Sequence, residues 1–112
     1  MTHVSSAPLL LVESDKVSRA ALAELLRRRH LVSEVESGAA ALHHLSLGAM
    51  PCMILCVLRD GDDSGGFRIA QQADPLWSAV PTVMFSAQSQ NLSDAFVDAL
   101  LTLAGRHCET LQ

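Results

Sequence analysis

The sequence predicts an α/β fold, a three-layer sandwich in which helices cover both faces of a mostly parallel central sheet. Three observations carry this. Short apolar runs alternate four times with segments of helical periodicity, and parallel strands need crossover helices to join them. Hydrophobic residues make up 49% of the chain and charged residues 18%, which suits a packed core and argues against disorder. The 112 residues suit one domain, 1–112, long enough to bury that core without disulfide or metal staples.

Residues 8–14, PLLLVES, are a continuous apolar run closed by polar residues, as expected of a strand covered on both faces. Ser14 or Asp15 then caps a helix with Val17, Ala21, Leu22, Leu25 and Leu26 at helical spacing. Arg27, Arg28 and Arg29 fall in its last turn, where positive charge suits the helix dipole. LVSEVE, 31–36, alternates apolar and polar, a strand with one face more exposed. A second helix opens near Ser37 and closes at Gly48. CMILCVL, 52–58, is a buried strand after Pro51. The third helix, 66–73, stops before Pro75, because the residue preceding proline disfavours helical geometry. Trp77 is expected to pack over it. VPTVMFSA, 80–87, is the fourth strand. Asn91 or Ser93 caps a last helix through DAFVDALLTLAG, with Phe96, Val97, Leu100, Leu101 and Ala104 on one face.

Composition excludes several roles. A formal charge of −4 argues against nucleic-acid binding through a basic surface, RRRH at 27–30 being a local exception explained by the helix end. No apolar stretch approaches the ~20 residues that cross a bilayer, and MTHVSSAP has no basic cluster followed by an apolar run. The expectation is a soluble, cytoplasmic protein. Three cysteines, an odd number with no secretion signal, point to a reducing compartment. Cys52 and Cys56 on one strand lie about 13 Å apart, too far for a disulfide, so core packing is expected of the cysteines. His43 and His44, adjacent on a helix, cannot form an i, i+4 metal pair, and His30 and His107 fall at helix ends.

In sheets of this kind reactive groups lie at the carboxyl ends of the strands, near the switch point. There the sequence resembles the response-regulator receiver domain, the CheY-like module of two-component signalling. LLLVESDKVSRAALAELL resembles its first strand, acidic corner and first helix; VSEVESGAAALHHL resembles its second strand and helix. GGFRIAQQADPLWSAVPTVMFSA resembles the third helix, a linker with DP, and the fourth strand ending in a hydroxyl residue and alanine. The match is clearest over 8–87 and implies a CheY/flavodoxin-like fold, apparently truncated after the fourth strand and the following helix. In the family, a carboxylate pair after the first strand holds Mg²⁺, and an aspartate ending the third strand takes a phosphoryl group from a partner kinase. A Ser or Thr ending the fourth strand and a later lysine bind the phosphoryl oxygens.

Carried over residue by residue, Glu13 matches the first carboxylate and Ser14 stands where the second belongs, with Asp15 one place further. Val57 occupies the acceptor position and has no nucleophile; Ser86 matches the hydroxyl residue. The only lysine, Lys16, is on the first helix. The resemblance therefore implies a vestigial site at Glu13, Ser14, Val57 and Ser86, with no catalysis and no firm cofactor.

The acidic loop after the third strand leaves alternatives open. Asp60 is a displaced acceptor candidate, which would need Mg²⁺ at Glu13, Asp15 and the loop. DGDDSGGFRIAQ also places Asp60, Asp62 and Ser64 at the first, third and fifth positions of a calcium loop, with Gln71 where a bidentate glutamate belongs. The third reading is a mobile, solvated loop whose glycines permit a tight path. The functional expectation is a pseudo-receiver, a phosphorylation-independent module whose partners are signalling proteins such as a histidine kinase or output protein. An unshielded fourth strand further implies self-association as a homodimer through Val80, Val83, Phe85, Phe96, Leu100 and Leu103.

Overall fold

The four apolar runs form one sheet. The structure, a computed structural model, describes residues 7–48, 50–86 and 94–108. Strands β1 (Leu9–Val12), β2 (Val32–Val35), β3 (Ile54–Leu58) and β4 (Thr82–Ser86) are all parallel, in the order β2-β1-β3-β4. Helices α1 (Lys16–Arg27), α2 (Gly38–Ser46), α3 (Ser64–Ala73) and α4 (Asp94–His107) complete the alternation.

Side chains of the two central strands divide between the faces, as the two-residue period of a strand requires. Leu9, Leu11, Leu55 and Val57 pack on one side with Leu22 and Leu26 of α1 and Leu100 and Ala104 of α4. Leu10, Val12, Ile54 and Cys56 pack on the other with Ala41 and Leu45 of α2 and Phe67 of α3. The predicted three-layer sandwich is therefore present. Phe96 of α4 meets Phe85 of β4 edge-on, centroids 5.3 Å apart. No strand lies beyond β4 among the described residues.

Local signals fix the helix ends. Asp15 caps α1, its carboxylate accepting from Ser18 N at 2.8 Å. Ser37 caps α2 through Ala40 N at 3.0 Å, and Gly48, at φ 94°, follows its end. A short 3-10 turn, Trp77–Ala79, is held against α3 by Gln71, whose Nε2 donates to Trp77 O and Thr82 Oγ1. The candidate caps Asn91 and Ser93 lie outside the described residues.

Four expectations need correction. Val17 is 79% exposed; nine positions before Leu26, it points about 180° away from it at 100° per residue. Helix α3 begins at Ser64, two residues early, because Asp62 supplies its first turn with an acceptor (Ser64 N to Asp62 Oδ1, 3.0 Å). Cys52 and Cys108 form a disulfide, Cα atoms 5.3 Å apart, joining the segment before β3 to the end of α4. Core packing alone describes only Cys56, which is free and buried; the pairing depends on where α4 comes to rest, 56 residues on. Of the expected interface residues, Val80 and Leu100 are buried in the chain's own core, while Val83, Phe85, Phe96 and Leu103 are half-buried.

Candidate functional site

The site lies where β1 and β3 end side by side and the strand order reverses direction. Val12 pairs with Cys56, so Glu13 and Val57 stand next to each other one step further on. Val57 pairs with Phe85 and is 2% exposed, and Ser86, paired with Leu58, ends β4 two strands from Glu13. Next to Glu13, near the end of β3, the chain therefore presents a buried aliphatic side chain.

Glu13 is fully buried, and a carboxylate taken out of water needs a partner. Its partner is Arg59, the first residue after β3. Arg59 Nε donates to Glu13 Oε1 at 2.6 Å and Nη2 to Oε2 at 3.1 Å, a two-bond fork. The same Nη2 donates to Ser18 Oγ at 3.2 Å, and Arg19 Nη1 donates to the Glu13 carbonyl at 3.0 Å. The Glu13 hydrogen bond, then its charge and those of Asp15 and Asp62, push the Arg59 guanidinium further up, so it stays charged. Arg59 was missed in the sequence. Its signal was there: it is the lone Lys or Arg between Arg29 and Arg68, set between a strand and three aspartates.

The acidic loop is solvated, with Asp60, Gly61 and Asp63 exposed, but two of its carboxylates are engaged with the backbone. Two adjacent aspartates accept four backbone N–H groups. Asp62 takes Arg59 N (2.8 Å) and Ser64 N (3.0 Å), which closes the turn after β3 and starts α3. Gly61, at φ 79°, sits third in that turn, where a left-handed residue is required. Burial pushes the Asp62 carboxyl up, but the Ser64 and Arg59 hydrogen bonds outweigh it and hold it below the ordinary value. Asp63 reaches across to α2 and takes Gly38 N (2.6 Å) and Ala39 N (2.8 Å). With Ser37 on Ala40 N, the first three helical N–H groups of α2 are satisfied, and a negative charge sits at its positive end. Gly38 makes the approach possible: a Cβ there would lie 2.8 Å from Asp63 O and Oδ1 and 2.9 Å from Phe67 Cβ.

Other singled-out residues fall apart from this centre or serve it structurally. Ser14 and Asp60 are exposed, Asp60 on the turn beyond the strand end. Asp15 caps α1, and the Ser18 hydrogen bonds lower its carboxyl below the ordinary value. Ser64 is buried, its Oγ accepting from Cys56 Sγ at 3.6 Å, and burial pushes the Cys56 thiol up. The residues do not fit a divalent cation. Glu13 is forked onto Arg59, while Asp15, Asp62 and Asp63 direct oxygens at backbone amides. Among the described residues no group of three or more His, Cys, Asp or Glu side chains is arranged to hold one.

No protein-family profile and no curated protein sequence matches the chain. Solved structures do. The chain is similar, over 94% of its length and 81% of the other's, to the N-terminal domain of a response regulator receiver protein from Methanoculleus marisnigri JR1. That match has a TM-score of 0.64 and 18% identity. Over 90% of its length it is also similar to a fusion of the yeast Spc42 trimeric coiled-coil segment, amino acids 181–211, to another structure. There the TM-score is 0.63 at 25% identity, and the chain spans 66%, just under two thirds, of that longer chain. The fold is thus CheY-like, with four parallel strands and four α-helices among the described residues.

Proposed function

We propose that the chain is a pseudo-receiver of two-component-type signalling, a non-enzymatic module that binds protein partners without accepting a phosphoryl group. The observation that carries this reading is Val57: the position beside Glu13 at the end of β3 holds a buried side chain with no nucleophile. The Glu13–Arg59 fork and the structural duties of Asp62 and Asp63 support it, since each uses an acid that metal-assisted phosphoryl transfer would need. Its partners on this reading are signalling proteins, a histidine kinase or an output protein. We place self-association as a homodimer at half-buried Val83 and Phe85 of β4, an edge strand among the described residues, with half-buried Phe96 and Leu103 of α4. A monomer by light scattering at high concentration would remove the dimer from the proposal. No helix among the described residues is long and apolar enough to cross a membrane, and the cytoplasmic location expected from the sequence is at odds with the Cys52–Cys108 disulfide, which a reducing compartment would keep as two thiols.

The test is intact-protein mass after incubation with acetyl phosphate, with and without Mg²⁺. Unchanged mass is expected. A Mg²⁺-dependent phosphoryl adduct lost in Asp60→Asn would replace this reading with a displaced acceptor. Stabilisation by Ca²⁺ and not Mg²⁺ would favour a calcium module.

A further inference from the structure

The receiver family carries a divalent cation beside its acidic corner, and here the residues do not fit one. The reason is the presence of another cation. The Arg59 guanidinium forks onto the buried Glu13 carboxylate, contacts Ser18 Oγ, and lies in the fields of Asp15 and Asp62. A guanidinium keeps its charge at every accessible pH, and, being covalently attached, cannot leave for solvent as a metal ion can. Its backbone is fixed too, since Arg59 N–H is held by Asp62, whose neighbour Asp63 holds the start of α2.

We propose that Arg59 is the tethered, resident cation of this site, occupying the charge position that a metal takes in receivers and holding the β1–α1 corner and β3–α3 loop in one metal-independent arrangement. This inference rests on the pseudo-receiver reading and adds to it a cause. Arg59 is a positioning residue, and it makes the site indifferent to Mg²⁺ while leaving a latent cation site beneath it. Once the guanidinium is removed, Glu13 is a buried carboxylate without its counter-charge, with Asp15 and Asp62 nearby. A divalent cation is then the available replacement.

The experiment is thermal unfolding of the wild-type chain, Arg59→Gln, and the Glu13→Gln/Arg59→Gln double variant. Each is measured in about 20 mM MgCl2 and in NaCl of matched ionic strength, so that screening is the same in both. The wild-type Tm is expected to differ by less than about 1 °C between the two salts. Arg59→Gln is expected to lose roughly 10 °C in NaCl, as a buried carboxylate loses its partner, and to recover several degrees in MgCl2. The double variant, lacking the carboxylate, shows no such recovery. Saturable Mg²⁺ stabilisation of the wild type overturns the proposal, as does an Arg59→Gln that loses no stability or recovers none. If Arg59→Gln is unfolded in NaCl, circular dichroism in MgCl2 decides: folding supports the proposal, and a coil spectrum refutes it. A wild-type chain that gains mass from acetyl phosphate defeats the pseudo-receiver reading. One that does not, beside a Mg²⁺-indifferent Arg59→Gln, defeats this inference alone.

Discussion

Gly38→Ala isolates the contact between α2 and the β3–α3 loop. In most helices this exchange is favourable, by about 0.5–1 kcal/mol, because alanine restricts the unfolded chain more. Here the new methyl would sit 2.8 Å from Asp63 O and Oδ1 and 2.9 Å from Phe67 Cβ. Two of these neighbours are not free to yield. The Asp63 carbonyl accepts from Phe67 N at 3.1 Å, and its carboxylate is tied to Gly38 N and Ala39 N. Overpacking of this kind costs about 1–3 kcal/mol, and loosening charge-assisted hydrogen bonds adds to it. The expected net loss is about 2 kcal/mol, a fall in Tm of roughly 8 °C for a domain of this size. Gly66→Ala in α3 is the control: nothing lies within 4 Å of its Cβ position, so it is expected to stabilise by about 0.5–1 kcal/mol. Urea titrations of both variants measure the difference. A Gly38→Ala chain as stable as Gly66→Ala would refute the close approach and, with it, the role given to Asp63.

Two further predictions follow from other groups. Unreduced protein in denaturant should titrate one thiol, Cys56, and reduced protein three; three thiols without reductant would rule out the Cys52–Cys108 bond. Reduction should cost about 4 kcal/mol on the loop-closure estimate, read as a lower urea midpoint. For Asp62, whose carboxyl lies below the ordinary value in the folded chain, the unfolded state takes up its proton first as pH falls. Its stabilisation is present above the unfolded value near about 3.9 and is lost as pH falls through the folded one. The Tm gap between wild type and Asp62→Asn should therefore be widest near neutrality and narrow below about pH 4; a gap independent of pH would contradict the assignment.

The elements and their order were legible because their signals are local. Asp15 and Ser37 cap the residues that immediately follow them, Gly48 ends a helix it adjoins, and the apolar runs of β1 and β3 need no partner to be seen. The sequence also brings Glu13, just after β1, and Val57, the last residue but one of β3, to one end of the sheet for the same local reason. What the site does with its charges was not legible. Glu13 and Arg59 are 46 residues apart, and Asp63 and Gly38 are 25 apart. Aspartates in an acidic loop look alike until the positions of the amides around them are known. Val17 misled for a different reason: an apolar residue in a first turn fits the composition of a buried stripe without lying on it.

The four amides held by Asp62 and Asp63 bear on how this molecule opens. Loops at a reactive sheet end usually fluctuate at low free energy, independently of the core. Arg59 and Ser64 sit at the end of β3 and the start of α3, Gly38 and Ala39 at the start of α2, and all four N–H groups end on one pair of neighbouring carboxylates. Asp62 couples the end of β3 to the start of α3, and its neighbour Asp63 couples that loop to the start of α2, so movement of the loop is felt by two helices and the sheet. Hydrogen exchange at these four amides is therefore expected to be slower than in a loop without such bonds, because the carboxylates that protect them tie two helices to the end of the sheet.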